Sequence, residues 1–475
     1  MDVAGRVALR FTGDVVRGGS HVNLTAVRAD GEHLWVAGDE TATIDRLVLD
    51  SATAPTRAGR QRSFRLADLV QLPGPPEGET DLQGVARSGG WLWAIGSHAL
   101  VRRRPKPIHD DAKVVRRLGK LRRDPNRFII VRLAVQLGVD RHPEPVRVAR
   151  DGRRSALVGA PHAETLVDLL RTDTHLAPFL AIPGQDNGFD VGGLAVVGDR
   201  LYVGLRGPVL RGWAVVLEVR PAQDPTDPGR LALGIFPEGV RYRKHVLDLG
   251  GLGLHDLCPD GDDLLVLAGP TMALSGPVRV HRWRGAVADG GGPVVRDVEL
   301  PVETVVPDRE GVDHASAISL LGQNPLDPDA RLLVVYAGPA ADRRPWPDTV
   351  LADRVRIARI GVDADLNPAM TDDARPADPE SLETRPAGPD PAPVELDVVD
   401  RAAARAPAGT LDPEPVDEET ADERGDAVPH EPADVARPDD EQTPAPAVSE
   451  PDRHQPVDGR PPTVLFPDQA RRFGT

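Results

Sequence analysis

Residues 25–40 read TAVRADGEHLWVAGDE, and the same pattern recurs four more times before residue 340. A short apolar segment runs into a turn that contains glycine, and a second apolar segment rich in Leu, Val and Trp follows. Glycine adopts φ > 0 without steric cost, so each copy predicts a β-hairpin. The other copies are QGVARSGGWLWAIGSH (83–98), GGLAVVGDRLYVGLRG (192–207), HDLCPDGDDLLVLAGP (255–270) and SAISLLGQNPLDPDARLLVVYAGP (316–339).

The five copies keep one phase. In each, a glycine lies six places after the start, and Trp35, Trp93 and Tyr202 occupy one equivalent position. The copies start at 25, 83, 192, 255 and 316, so their spacings are 58, 109, 63 and 61 residues. Units of about 60 residues built from antiparallel strands predict an all-β fold, a β-propeller of about five to six four-stranded blades. The alternative is a β-sandwich that reuses similar hairpins.

The long spacing between the second and third copies leaves the blade count open. It holds either one blade with a long insertion or two blades, one of them degenerate, and residues 146–161 are a weak candidate for a sixth copy. The N-terminal strand near Val7–Phe11 is predicted to pair with the last blade and close the ring.

A basic helical insertion is predicted over residues 102–127, which contain 11 Lys and Arg against three Asp. Within it, residues 110–123 (DDAKVVRRLGKLRR) read as an amphipathic helix with Val114, Val115, Leu118 and Leu121 on one face. A basic helix can bind nucleic acid or an anionic surface. No aromatic residue interleaves its charges to stack on bases, so a solvated helix docked by its apolar face is favoured. A second, short helix is predicted over 163–171.

The charge of the chain divides it into two parts. Residues 361–475 hold 28 Asp and Glu and 10 Lys and Arg, a net charge of −18, and 20 of the 48 prolines. Residues 1–360 hold 47 basic and 45 acidic residues, a net charge of +2. Such an acidic, proline-rich segment buries too little apolar surface to fold. The sequence therefore predicts a propeller body over 1–362 and a disordered acidic tail over 363–475.

Several classes of protein are disfavoured by the sequence. No window approaches the roughly 18 apolar residues of a membrane-spanning helix, so no transmembrane segment is expected. The N-terminus lacks the apolar stretch of a secretory signal, and Cys258 is the only cysteine. A cytoplasmic protein is expected. Motifs such as GxSxG, HExxH and the Walker loop are absent from the sequence.

The candidate ligand-binding residues are polar side chains that mostly lie near the same end of successive hairpins. Inner strands of a propeller converge, so residues far apart in sequence can meet there. Asp and His suit a divalent metal, and Arg, Lys and His suit a phosphate or carboxylate. The alternative is that these side chains bond loop backbones. The candidates are Asp81, His98, Asp190, Arg206, Lys244, His245, His255, Asp256 and His314.

Several longer runs resemble a bacterial family known as domain of unknown function 3616 (DUF3616). They are DPNRFIIVRL (124–133), HLAPFLAIPGQDNGFDVGGLAV (175–196) and YRKHVLDLGGLGLHDLCPDGDDLLVLAGPTM (242–272). The resemblance covers nearly the whole body and none of the tail. It implies a propeller-like fold and no assigned activity.

The chain departs from the pattern that the resemblance implies. Several repeats of the family read acid, hydrophobe, Glu, Gly, Leu. Here Gln83, Gly192 and Ser316 stand at the glutamate position, while Asp81 and Asp190 are kept two places earlier. The loss of these glutamates lowers the support for an enzyme.

The preferred function is a cytoplasmic binding or scaffolding module for a protein or a small anionic ligand. The alternative is a metal-dependent hydrolase of the phosphoesterase or lactonase type, with a divalent cation at the channel mouth. That alternative rests on fold analogy alone. Association with nucleic acid or an anionic surface through 102–127 is a third hypothesis. The sequence names no reaction.

Overall fold

The computed structural model describes residues 3–357 apart from gaps at 104, 159–163, 273, 289–291, 308–312 and 323–330. All described residues lie in one compact part of the chain, Met1–Ala374. The tail predicted over 363–475 lies outside the described residues, so its disorder stays a prediction.

Each of the five repeated segments forms an antiparallel hairpin, with a first strand and a second strand joined by the predicted turn. The turn glycines take φ values between 55° and 76°, a region that other residues enter only with strain. This confirms the common phase of the repeats. The turn glycines are Gly31, Gly89, Gly198, Gly261 and Gly322.

Further strands extend each hairpin into a sheet of at least four strands, which we term a unit. The first unit contains β2 (Leu24–Asp30), β3 (His33–Gly38), β4 (Thr43–Leu49) and β5 (Arg57–Arg65). The second contains β6 (Leu82–Ser88), β7 (Trp91–Gly96), β10 (Ile130–Leu137), β11 (Pro143–Val146) and β12 (Ala156–Val158). The third contains β13 (Asp190–Val197), β14 (Arg200–Gly207), β15 (Trp213–Val219) and β18 (Arg243–Asp248). The fourth contains β19 (Gly253–Asp260), β20 (Asp263–Gly269), β21 (Val278–Trp283) and β23 (Val302–Val306). The fifth contains β24 (His314–Leu321), β25 (Arg331–Ala337), β26 (Thr349–Arg356) and β1 (Val3–Arg10).

The five first strands contact one another in cyclic order. β2 contacts β6, β6 contacts β13, β13 contacts β19, β19 contacts β24, and β24 returns to β2. The units are therefore arranged around a common axis, and the fold is mostly β and propeller-like, as the repeats predict.

The N-terminal strand closes the ring. β1 pairs antiparallel with β26 of the fifth unit, so that Val7 lies opposite Ala352 and Leu9 opposite Val350. Its other edge pairs parallel with β5 of the first unit at Ala8 and Leu9. The predicted pairing of Val7–Phe11 with the last blade is confirmed, and the first and fifth units share one eight-stranded sheet.

Two further parallel pairings join neighbouring units at their outer edges. β16 (Pro221–Gln223) and β17 (Arg230–Leu233) follow the third strand of the third unit, yet β17 pairs with β12 of the second. β22 (Val294–Val295) follows β21 of the fourth unit and pairs with β18 of the third. The outer edge of one unit is thus completed by a strand from the next.

The second unit accounts for the long spacing between the second and third repeats. Both β11 and β12 pair with β10, and β12 lies within the weak sixth copy at 146–161. The described part of that copy therefore belongs to this unit and forms no separate sheet. The insertion between β7 and β10 forms a small ladder of β8 (Val101–Arg102) and β9 (Leu121–Arg122) around one helix.

That helix is shorter than predicted, and its predicted docking is wrong. It spans Asp111–Gly119, because Lys120 takes an extended conformation that leads into β9, and none of its residues is buried. The helix predicted over 163–171 is a single turn, Leu166–Leu169, while Ala163 lies outside the described residues. Of the helices in the described part of the chain, none is long and apolar enough to cross a membrane. These helices are α1 (Asp14–Arg17), α2 (Leu66–Leu69), α3 (Asp111–Gly119) and α4 (Leu166–Leu169).

The apolar core consists of five buried clusters, and each lies between two neighbouring units. The aromatic residues of the repeat fill three of these interfaces. Trp35 packs between the first and second units, Trp93 between the second and third, and Tyr202 between the third and fourth. Burial of apolar surface between units, at about 25 cal/mol per Å², therefore holds the ring together.

Replacing Trp35 by alanine should destabilise the body by about 3–5 kcal/mol, because the side chain is fully buried and its removal leaves a cavity. The matched control is Trp346→Ala, since Trp346 is 61 % exposed and its loss should cost less than about 0.5 kcal/mol. Urea denaturation of both variants measures the difference, and equal losses would contradict the assignment of Trp35 to an inter-unit interface.

Candidate functional site

Three of the predicted residues come together at the end of the ring where the first strands begin. The Gln83 amide donates a hydrogen bond to Asp81 (2.7 Å), and Arg206 donates to the Gln83 carbonyl oxygen (2.5 Å). The Arg206 guanidinium also lies 3.7 Å from the Asp190 carboxylate. We term this set, Asp81, Gln83, Asp190 and Arg206, the starting-end cluster. It links the neighbouring second and third units.

Arginines neutralise much of the negative charge around the starting-end cluster. Arg127 donates to Asp81 (2.6 Å) and to Glu79 (3.2 Å). Burial raises the pKa of Asp190 to about 6 despite Arg206. Burial, with help from Asp81, raises the pKa of Asp39 to about 6 as well, and one oxygen of Asp39 is buried without a hydrogen bond. Carboxyl groups still outnumber arginines among these residues, so this end of the ring is unfavourable for an anion.

His255 lies near the starting-end cluster. Its two ring nitrogens lie 3.0 Å from the Ala315 carbonyl and 3.1 Å from the Pro270 carbonyl. Burial, with the nearby positive charge of Arg206, lowers the pKa of His255 to about 4, although the two carbonyls favour the charged form. His314 is the exposed first residue of β24. The contact of His255 with the Ala315 carbonyl connects the fourth and fifth units.

The structure does not bring His98, Lys244 and His245 to the starting-end cluster. His98 is buried against Phe128, and its Nδ1 lies 2.9 Å from the Gly96 carbonyl. Lys244 forms an ion pair with Asp173 (2.7 Å). The His245 ring lies 3.1 Å from Glu218 and packs edge-on against Trp283. Each of the three side chains therefore has a bonding partner outside the starting-end cluster. Across the described part of the chain, no group of three or more His, Cys, Asp or Glu side chains is placed to hold a metal ion.

Asp256, the remaining predicted residue, lies in the middle of the ring with Arg28. Arg28 donates to the backbone carbonyls of Val85 (3.1 Å), Leu194 (3.4 Å) and Leu257 (2.8 Å), which belong to the first strands of the second, third and fourth units. Asp256 accepts from the backbone N–H of Ile318 in the fifth unit (2.9 Å).

The two side chains form a loose buried ion pair. The Arg28 guanidinium lies 3.9 Å from the Asp256 carboxylate, and their side chains are 7 % and 2 % exposed. Burial raises the pKa of Asp256 to about 7, although Arg28 and three backbone N–H groups oppose the shift. Near neutral pH, protonation of Asp256 therefore leaves the charge of Arg28 only partly balanced.

A cavity of about 410 Å³ opens at the other end of the ring, where the turn glycines lie. Arg28 lines it, and its Nη1 is buried without a hydrogen-bond partner. Ion pairs hold the other charged groups of the wall, Arg87 with Asp30 (2.7 Å) and Asp260 with Arg282 (2.9 Å). We term this space the axial cavity. Its polar and charged lining residues are Arg28, Asp30, Arg87, Ser88, Asp260 and Ser319.

A larger groove of about 1130 Å³ lies between β1 and β5, and most of its charged side chains are paired with one another at the surface. Its wall carries three arginines and three carboxylates. Arg10 is paired with Asp348 (2.8 Å), and Arg57 lies 3.7 Å from Asp50. The charges balance at the surface, where ion pairs contribute little. We therefore take the axial cavity, with its buried and incompletely bonded arginine, as the candidate site.

Arg28 was missed as a candidate, although the sequence carries a signal for it. Aligned on the turn glycines, the position of Arg28 holds Ala86, Ala195, Cys258 and Ser319 in the other repeats. The position of Asp256 holds Ala26, Gly84, Gly193 and Ala317. Both charged residues thus occupy positions at which the other four repeats have small side chains or glycine. The reason is space, because a Cβ on Gly193 would lie 2.5 Å from the Asp256 Cα.

The pKa of Asp256 makes stability depend on pH in a defined direction. Between its ordinary pKa of 3.8 and about 7, the folded state holds a proton that the unfolded state has released. Stability from this group is therefore lost as pH rises through that window. Asp256→Asn lacks this loss, so its unfolding free energy relative to wild type should improve by a few kcal/mol from pH 5 to pH 8.

Chemical denaturation of both proteins at the two pH values measures this change, and the comparison cancels the titration of His98 and His255. Asp262→Asn, at an exposed turn position of the same unit, is the control and should show no such change. A relative stability of Asp256→Asn that is the same at both pH values would show that Asp256 is ionised throughout.

Comparisons with known proteins place the chain in a family without adding a reaction. Among solved structures, hydrazine synthase of Kuenenia stuttgartiensis aligns at 10 % identity over 66 % of this chain and 56 % of its own, with a TM-score of 0.28. This chain thus spans little more than half of that protein. A protein from Lactobacillus plantarum aligns at 12 % identity over 70 % and 71 %, with a TM-score of 0.26. Apo AztD from Citrobacter koseri aligns at 10 % identity over 71 % and 74 %, with a TM-score of 0.25.

TM-scores this low carry no argument about function, and no curated protein matches the sequence. A family comparison is more informative. Residues 23–353 match the family described as protein of unknown function, DUF3616, and this range includes all five repeated hairpins. The resemblance seen in the sequence is confirmed, and the chain belongs to the DUF3616 family.

Proposed function

We propose that this chain is a binding module whose body is a five-bladed propeller that holds a small anionic ligand in the axial cavity. One observation carries the proposal: Arg28 is 94 % buried, lines the cavity, and has an Nη1 group without a hydrogen-bond partner. A buried donor left unbonded costs about 1–3 kcal/mol, and more when it is charged. An anion that accepts from Nη1 recovers that free energy.

The charge around Arg28 supports an anion more than a neutral ligand. Among the described residues, the carboxylate paired with Arg28 in the ring centre is Asp256, and its raised pKa leaves it partly protonated near pH 7. The other carboxylates of the wall, Asp30 and Asp260, already hold arginines. A guanidinium in a site of low dielectric binds carboxylates and phosphates through charge-assisted hydrogen bonds.

The size of the axial cavity restricts the ligand. A volume of about 410 Å³ lies at the small end of the range for ligand pockets. A compact carboxylate or a phosphate fits this space, and a folded protein does not. Of the two partners expected from the sequence, the small anion is the one we propose. No observation favours the metal-dependent hydrolase, and we propose no second function.

The proposal predicts that oxalate, a dianion at both pH 6 and pH 8, raises the melting temperature of the full chain at equal ionic strength with chloride. The effect should grow from pH 8 to pH 6, because protonation of Asp256 leaves the charge of Arg28 unbalanced. Asp256→Asn should bind the anion at pH 8 about tenfold more tightly than wild type and lose the pH dependence, since one pKa unit corresponds to a factor of ten. Isothermal titration calorimetry measures both.

Arg28→Met removes the charged donor and should abolish anion binding. Its matched control is Arg46→Met, because Arg46 is equally buried, carries one unbonded nitrogen, and pairs with Asp140 away from the cavity. Anion binding that survives in Arg28→Met, or that Arg46→Met abolishes equally, would contradict the proposal. If Arg28→Met does not fold, an Asp256→Asn variant that binds the anion no more tightly than wild type at pH 8 would contradict the proposal.

A further inference from the structure

We propose that the insertion between β7 and β10 docks on an anionic lipid surface through α3. This inference stands apart from the axial cavity and rests on different residues. The insertion carries a net charge of +8 over residues 102–127, and its helix exposes an apolar face that nothing in the described chain covers.

The exposed apolar face lies along one side of α3 and the segments that flank it. Val115 is 70 % exposed, Leu118 43 % and Leu121 46 %. Ile108, just before the helix, is 88 % exposed. At 100° per residue, Val114, Val115 and Leu118 fall within about 100° of one another on α3, and Leu121 follows in β9. Each buried CH₂ group is worth about 0.8 kcal/mol, so this side gains from an apolar environment.

The opposite side of α3 carries free positive charge. Lys113, Arg116 and Lys120 repeat at intervals of three and four residues, which places them on one side of the helix. None of the three side chains forms an ion pair with a described residue. A helix with one apolar face and one basic face lies in the plane of a membrane interface, with its cations among the anionic headgroups.

Other arginines of the insertion hold its base to the ring. Arg102 forms an ion pair with Asp186 (2.6 Å), and Arg127 pairs with Asp81 (2.6 Å). The Arg123 guanidinium lies 3.7 Å from the centre of the Phe128 ring. The side chain of Asp110 caps the first turn of α3 by accepting from the Lys113 N–H (2.7 Å). The helix is therefore presented from a fixed base, which reduces the entropy lost on docking.

The same side chains favour lipid over nucleic acid. A phosphate backbone offers partners for Lys113, Arg116 and Lys120 but none for Val115 and Leu118. Residues 102–127 contain no Phe, Tyr or Trp to stack on bases. Only a surface that is both anionic and apolar below its headgroups satisfies both faces of the helix.

The test is sedimentation of the full chain with vesicles of phosphatidylcholine, with and without 40 % phosphatidylglycerol. We expect binding only to the anionic vesicles, weakening as salt rises. Replacing Lys113, Arg116 and Lys120 together by Gln should weaken it roughly a hundredfold, about fivefold for each cation near the surface. The matched control replaces three exposed arginines elsewhere, Arg60, Arg150 and Arg284, and should bind like wild type.

A second variant separates lipid from nucleic acid. Val115→Gln with Leu118→Gln keeps every charge and should lower vesicle binding at least tenfold, because the apolar face no longer inserts. Its control is Val139→Gln with Val298→Gln, two residues that are 94 % and 82 % exposed elsewhere. The proposal would be overturned in favour of nucleic acid if the chain bound a DNA duplex more tightly than the vesicles, and if the Val115 and Leu118 changes left the DNA affinity unchanged. Equal binding to vesicles without phosphatidylglycerol, or none to either kind, would also overturn it.

Discussion

The contact on which the architecture depends is the set of hydrogen bonds that Arg28 and Asp256 make in the middle of the ring. Where five strand edges meet, backbone groups from all five units face one small space, and each needs a partner. Arg28 satisfies carbonyls in three units, and Asp256 accepts an N–H group from a fourth. Removal of one charge would leave the other unpaired in a site of low dielectric, and an unpaired buried charge strongly destabilises the fold. The same crowding explains why the remaining repeats hold Ala, Gly, Ser or Cys at these positions.

Around that centre, stability comes from interfaces that repeat. Each apolar cluster contains residues of two neighbouring units, so no unit forms an apolar core by itself. The outer edges are tied in the same manner, by strands that one unit supplies to the next. The ring is therefore cooperative by construction, and its centre is a rigid frame that holds Arg28 against the axial cavity. A binding site gains from such rigidity because few groups need to be ordered when the ligand arrives.

Local features of the fold could be predicted from the sequence, and long-range ones mostly could not. The hairpins could be predicted from the turn glycines and from the Leu and Trp positions. Positive φ favours glycine in the turn, and burial favours large apolar residues in the strand that follows. The role of β1 followed from the need to close a ring. The exposure of Val115 and Leu118 could not be predicted, because an amphipathic pattern does not say whether a partner surface exists. The exchange of outer strands depends on pairing between segments about 50 to 70 residues apart, which no local pattern encodes.

The candidate site was predicted in part. Asp81, Asp190 and Arg206 meet as the repeat geometry suggested, since equivalent ends of the first strands converge. His98, Lys244 and His245 do not join them, because each is held by another partner. His98 bonds the Gly96 carbonyl, Lys244 pairs with Asp173, and His245 contacts Glu218. Asp256 was named from its place near the start of a strand, whereas its position in the ring centre depends on a partner in another repeat.

The pairing of β1 with β26 has a consequence for how the chain is made. β1 leaves the ribosome before the other described strands, and its partner Thr349–Val355 is the last of them to follow. At about 5–20 residues per second, synthesis of the intervening chain takes on the order of tens of seconds. Throughout that time Val7, Leu9 and Phe11, which are fully buried in the finished ring, lack their final neighbours. An apolar strand with an unpaired edge can associate with other chains, so β1 needs protection in the growing polypeptide until β26 has been made.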